Sequence, residues 1–252
     1  MQQGNPKFTP DWRQWRNLFV HRRGRPRPDQ FADEPQLASI PKSVARSLVV
    51  FQLGESRGGT IVEYSLRSPI AEIDACYAEA MELFVAEEHH HAELLACAVR
   101  MLGGELIREN WTAKLFVWGR RLIGLRLKVM VLLAAEVVGI CYYHLLATKL
   151  PESRLKSLLE KLVDDELSHL DFHCSFLRTQ TGSAWRRAIF VAAWRALSVA
   201  AAATVLVDHR HALRDLGIPA RVAWRRWMSV SRHAEALACP RHDGRLGELR
   251  VG

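Results

Sequence analysis

"FVAEEHHHAELL", Phe84 to Leu95, sets two glutamates and three histidines in a row within an otherwise apolar stretch. Its surroundings carry 3–4 periodicity and no alternation, so it reads as a helix. Residues at i and i+3 share a helix face. Glu88 and His91 therefore point at one spot, and so do Glu87 and His90. Periodicity alone barely separates these two registers.

A second stretch separates them. In "DDELSH", Asp165-Glu166-x-x-His169 repeats Glu87-Glu88-x-x-His91 position for position. The glutamate is the second acid in both, which selects Glu88 and His91. Each motif also has a glutamate upstream in an apolar helix: Glu55 in "FQLGESRGG", 33 residues before Glu88, and Glu136 in "LLAAEVVGI", 30 residues before Glu166. All six residues fall on the apolar stripes of their helices. The stripes are Leu48, Phe51, Glu55, Val62 and Leu66; Tyr77, Phe84, Glu88, His91, Leu95 and Ala98; Val129, Leu133, Glu136, Ile140 and Tyr143; and Leu155, Leu162, Glu166, His169, His173 and Phe176. A lone carboxylate on such a face is costly to desolvate, and metal ions offset that cost. Four carboxylates and two imidazoles suit two iron or manganese ions bridged by carboxylates. The candidate ligands are Glu55, Glu88, His91, Glu136, Glu166 and His169. Glu87 and Asp165 are candidates to accept the ring N–H of a ligand histidine on the facing helix. His173, one turn beyond His169, is a further supporting candidate or a packed histidine. His89 and His90 read as solvent-side or packing residues.

The chain around these motifs has 252 residues, 49% of them hydrophobic, enough for one core or one core with a small appendage. Strand signals are scarce, so the expected fold is all-α. Residues 1–41 read as a basic arm. The first long helix is expected near Lys42 to Leu66. The second opens with Ser68 as N-cap and Pro69 as first helical residue, and stops at Gly103-Gly104. The third spans about Phe116 to Lys149, and the fourth runs from Pro151 until Gly182 closes it. Residues 42–182 would form a four-helix bundle with one longer crossover connection. Residues 183–252 would form an Arg- and Trp-rich helical extension.

The net charge is +8, concentrated in "HRRGRPRP" and beyond Arg178. That balance favours acidic partners: an anionic carrier, a membrane surface or RNA. The five cysteines form no CxxC pair and read as small buried residues of a reducing compartment. No apolar leader opens the sequence, so a cytoplasmic location is expected. Val129–Ala147 and Ala188–Val207 approach membrane-spanning length. The first, with Glu136 and His144, fits a buried bundle helix. The second, with Arg195, fits a core helix or one lying against a membrane surface.

At the two acid-Glu-x-x-His motifs the chain resembles the ferritin-like di-iron carboxylate superfamily, which includes rubrerythrins, acyl-carrier-protein desaturases and ribonucleotide reductase small subunits. "FQLGESRGG", "FVAEEHHHAELL", "LAAEVVGICYYHLL" and "LVDDELSHLDFH" look closer still to a bacterial group of ferritin-like proteins. The resemblance covers about Ser43 to Leu177. It implies a ferritin-like four-helix bundle, the six ligands above, and two iron ions (Fe/Fe, or Mn/Fe). Arg57, Gly58 and Gly59 stand where some relatives carry a further acid.

The activity implied is that of a di-iron oxidase or oxygenase, using O2 and an external electron donor on an organic substrate. A ferroxidase or iron-handling protein and a tRNA-modifying hydroxylase are the alternatives, and a non-metal interaction bundle is a fourth. A homodimer is compatible with each. Gly58, Gly59 and Gly139 either open space beside the metals or allow close helix packing. Tyr143, two turns from Glu136, is either redox-active or a core tyrosine satisfied by a hydrogen bond.

Overall fold

The computed structural model describes residues 8–23, 35–57, 60–112, 114 and 124–240. Its regular elements are all helical. They are α1 (Trp12–Arg23), a 3-10 turn (Pro35–Ser39), α2 (Lys42–Glu55), α3 (Thr60–Leu66), α4 (Ala75–Met101), α5 (Leu125–Ala147), α6 (Arg154–Gln180), α7 (Ala184–Asp208), α8 (Arg210–Asp215) and α9 (Ala220–Ala238). The core lies where α2, α4, α5 and α6 meet, and α7 and α9 pack on the outside of α5 and α6.

The anticipated stripes are buried throughout in α4, α5 and α6. The first stripe fails past Glu55. Helix α2 ends there and α3 restarts the periodicity with Ile61 and Ser65 inward, so Leu66 points out at 68% exposure. Gly58 and Gly59, and the expected start of the third helix at Phe116, lie outside the described residues.

Two expected caps are corrected. Helix α4 begins at Ala75, and the Asp74 carboxylate accepts from Tyr77 N–H at 2.8 Å. Residues 69–74 lie outside it, and the Glu72 carbonyl accepts from the Trp12 indole N–H at 2.8 Å. Helix α6 is capped by Ser153 and closes at Thr181, whose hydroxyl bonds the Arg178 and Ala238 carbonyls. Gly103 does end α4, at φ +69°, where a left-handed residue lets Gly104 N–H reach the Val99 carbonyl.

The expected arm contains a helix. Trp12, Trp15, Phe19 and Arg22 follow 3–4 spacing on one face of α1, and that face covers α4 and α6. Trp12 and Phe19 are buried, in edge-on contact with Phe172. The five cysteines are unpaired: Cys141, Cys174 and Cys239 are buried, Cys76 and Cys97 half-buried.

Candidate metal centre

Helices α4 and α6 bring Glu88, His91, Glu166 and His169 together in the middle of the core. One ligand atom from each lies within 4.8 Å of the others, and all four residues are buried. The order follows from the repeat: each helix contributes an i, i+3 pair, and the pairs face each other. His169 Nδ1 sits 2.9 Å from Glu166 Oε2 and 3.0 Å from Glu88 Oε1. His91 Nδ1 sits 3.3 Å from Glu166 Oε1 and 3.7 Å from Glu88 Oε1. Both Nδ1 atoms thus point at the same two carboxylates.

The Nε2 atoms point the other way, to the acids that precede the glutamates. His169 Nε2 meets Glu87 of α4 at 3.0 Å, and His91 Nε2 lies 3.5 Å from Asp165 of α6. The arrangement is crossed: each helix supplies the outer acid for the other helix's histidine. The Glu87 carboxylate can hold the His169 Nε2 proton, which leaves the Nδ1 lone pair for the inner cluster, and Asp165 stands on the same side of His91 without a hydrogen bond to it.

Glu136 is 3% exposed, with Oε2 3.7 Å from His169 Nδ1 and Oε1 3.3 Å from His173 Nε2. Glu55, half-buried at the end of α2, accepts from the Tyr143 hydroxyl at 3.0 Å. Tyr143 is therefore a buried tyrosine satisfied by a hydrogen bond. Gly139 marks close packing and not open space: a Cβ there would lie 3.4 Å from Tyr143 and 3.7 Å from Glu166. Phe84 stands edge-on to His169 and to His173, with ring centroids 4.8 Å apart in both pairs. His89 is exposed and His90 half-buried, 4.0 Å from Glu93, both outside the cluster.

The electrostatics show carboxylates crowded out of water. Burial raises Glu55 and Glu136 well above the usual range, and the neighbouring Glu88 and Glu166 add to it. Burial opposes a charge on the histidines, yet the surrounding carboxylates raise His169 well above its ordinary value and His91 to about 9. Burial would also raise Glu166, but His169 and His91 pull it down. His173 falls to about 3, through burial and the His169 charge. In the metal-free protein two imidazoliums thus supply the positive charge that the acids need.

They do not satisfy the cluster. Glu88 Oε1, Glu166 Oε1 and both His91 nitrogens are buried without a hydrogen-bond partner. The ion-pair distances at these atoms are short, but the angles do not make hydrogen bonds, and one His169 Nδ1–H cannot serve both Glu166 and Glu88. Buried polar atoms are normally paired. Orphaned carboxylate oxygens and an imidazole nitrogen facing one point are what a metal would take up. The residues present fit a metal.

Sequence reading missed Arg22. From α1 its Nη1 lies 3.6 Å from Glu87 and 3.5 Å from Asp165, and its Nη2 donates to Ser168 Oγ at 2.7 Å. Glu87, His91 and Asp165 also lie within 4.8 Å of one another. With the guanidinium already beside both acids, this outer group has its cation. The usable signal was the Trp12, Trp15, Phe19, Arg22 spacing, hidden by the basic run that follows it.

No family model, no curated protein and no solved structure matches this chain. A buried carboxylate–histidine cluster with metal-binding spacing, inside an all-helical fold, is what the geometry establishes.

Proposed function

We propose that this chain is a ferritin-like dimetal carboxylate protein that uses O2 to oxidise an organic substrate, with residues 42–182 as its metal-binding bundle. The observation that carries the reading is the convergence of both Glu-x-x-His pairs, by their Nδ1 and carboxylate atoms, on one buried spot with orphaned acceptors. Glu88, His91, Glu166 and His169 would hold the metals, with Glu136 and Glu55 at the two sides. A bound pair of reduced iron ions, or of manganese and iron, supplies the electrons with which such sites activate O2.

The chain's own residues do the rest. Glu87 and Asp165 orient the imidazoles, and Arg22 balances the outer acids. Phe84, Phe19 and Phe172 wall the His169 side, which keeps the site dry and its electrostatics strong. Tyr143 donates its proton to Glu55 and fixes that carboxylate at the least buried side of the cluster.

The test is metal content per chain after anaerobic loading with Fe(II) and desalting, followed by O2 consumption with added reductants. About two metals per chain and reductant-dependent O2 uptake are expected. Many ions per chain, deposited on adding air, would move the reading to iron handling. No bound metal would end it.

A further inference from the structure

Helix α7 has two faces of opposite character. Phe190, Trp194, Ala202 and Val205 are buried against the bundle, and the Trp194 indole donates to the Ser231 carbonyl at 2.9 Å. The other face is apolar and exposed. Trp185 (62%), Ile189 (58%), Val199 (47%) and Val207 (54%) stand in solvent with Ala196 and Ala203 between them. At 3.6 residues per turn these positions form one stripe about 80° wide and about 33 Å long. No charged side chain interrupts it. Arg186 and Arg195 border it on opposite sides.

The surroundings are strongly basic. Residues 184–240 hold nine arginines against three acids. Of those acids, Asp208 is engaged by Trp111 and Thr112, Asp215 by Ser43, and Glu235 by both ends of the Arg195 fork. The free charge around the stripe is positive.

We propose that α7 is an interfacial helix that docks the protein on an anionic lipid bilayer, with its apolar stripe in the headgroup–acyl boundary and its arginines on lipid phosphates. The composition matches that of helices lying in the membrane plane: an apolar stripe carrying Trp, and arginine at its borders. The helix does not span. Its other face is tied to α5 and α9, and Arg195 sits at its middle.

A second copy of the chain fits the same face less well. One stripe of this size covers well under the roughly 800 Å² per partner of a stable interface. Arg195 is one residue from the helix midpoint, so a two-fold antiparallel pairing would bring the two Arg195 side chains together. The proposal does not depend on the metal centre.

The experiment is co-sedimentation of the full chain with vesicles of phosphatidylglycerol and phosphatidylcholine, and with phosphatidylcholine alone. Binding to the anionic vesicles, weakened by salt, is expected, with little binding to the neutral ones. Ile189→Asp with Val199→Asp, both at exposed positions, should weaken binding at least tenfold with the far-UV circular dichroism unchanged. Arg186→Gln should weaken it less. Absence of binding by the wild-type chain, or equal binding by the Asp variant, would overturn the proposal. So would a wild-type dimer in sedimentation velocity that Ile189→Asp converts to monomer, which would assign the stripe to a second copy.

Discussion

The two halves of the candidate metal centre are written alike and built differently. In one, Glu136 lies mid-way along the unbroken 23-residue helix α5, at 3% exposure, against His169 and His173. In the other, Glu55 is the last residue of the 14-residue helix α2, half-buried, and accepts from Tyr143. The same ligand letter is thus a fixed wall on one side and the end of a helix on the other. A side chain midway along a helix is held at both ends, and one at a helix end is held at one. The acid-Glu-x-x-His pairs of α4 and α6 are the shared floor between them.

The largest effect should come from that floor. His169 contacts Glu87, Glu88, Glu136 and Glu166, so it belongs to both halves. His169→Ala should remove most bound metal, read by elemental analysis, while the helices persist in circular dichroism. Retention of about two metals per chain would break the ligand assignment and the comparison with it. Swapping His90 for alanine should leave metal content near wild type.

The comparison itself is tested by Glu136→Ala against Glu55→Ala. Loss of Glu136 leaves His173 buried without the carboxylate 3.3 Å from its Nε2, whereas loss of Glu55 frees one tyrosine at a helix end. Metal affinity, titrated with Co(II), should fall about tenfold further for Glu136→Ala, in the range that ligand-supporting groups command. Equal losses would show that the end of α2 is as rigid as the middle of α5.

Why the sequence disclosed one half better than the other is physical. Glu88, His91, Glu166 and His169 come from two long helices of unbroken period, so spacing alone predicts which side chains share a face. Their crossed outer acids followed from the same repeat. Glu55 precedes Ser-Arg-Gly-Gly, and a period carried through that break put Leu66 inside when it lies in solvent. Arg22 was invisible for another reason. Its partners, Glu87 and Asp165, are 65 and 143 residues away, and the local spacing of Trp12, Trp15, Phe19 and Arg22 marks an inward face without naming what that face meets. The α4 start falls at Ala75 because Asp74 caps it, a second acceptor side chain six residues after Ser68 that spacing alone does not rank above the first.

Arg22 touches the outer acids of both α4 and α6, so its removal should weaken both halves together. Arg22→Ala should lower metal affinity by roughly tenfold, and Arg22→Lys, which keeps the charge but not the fork, should recover part of it. A change in protein stability with unaltered affinity would reduce α1 to a cover.

The smallest effect concerns how α2 is held. Ser47 of α2 hydrogen-bonds both the Tyr142 hydroxyl and His209 Nδ1, and Phe51 packs on Tyr142 and His209 at 4.6 and 5.0 Å between ring centroids. This anchor fixes α2, the Glu55 helix, against Tyr142 of α5 and against His209 beyond the end of α7. Burial lowers His209 to about 4, against a slight opposing pull from Asp208. The folded protein therefore prefers the neutral imidazole more than the unfolded chain does. The resulting stability is fully present above the unfolded value of about 6.5 and is lost as pH falls toward 4. Amide exchange in α2 should accelerate between pH 7 and 5, after correction for intrinsic rates, while α5 stays protected around Glu136. His209→Asn should flatten that pH dependence. If α2 and α5 loosen together on acidification, the two halves share one anchor, and the asymmetry of the centre is confined to the side chains of Glu55 and Glu136.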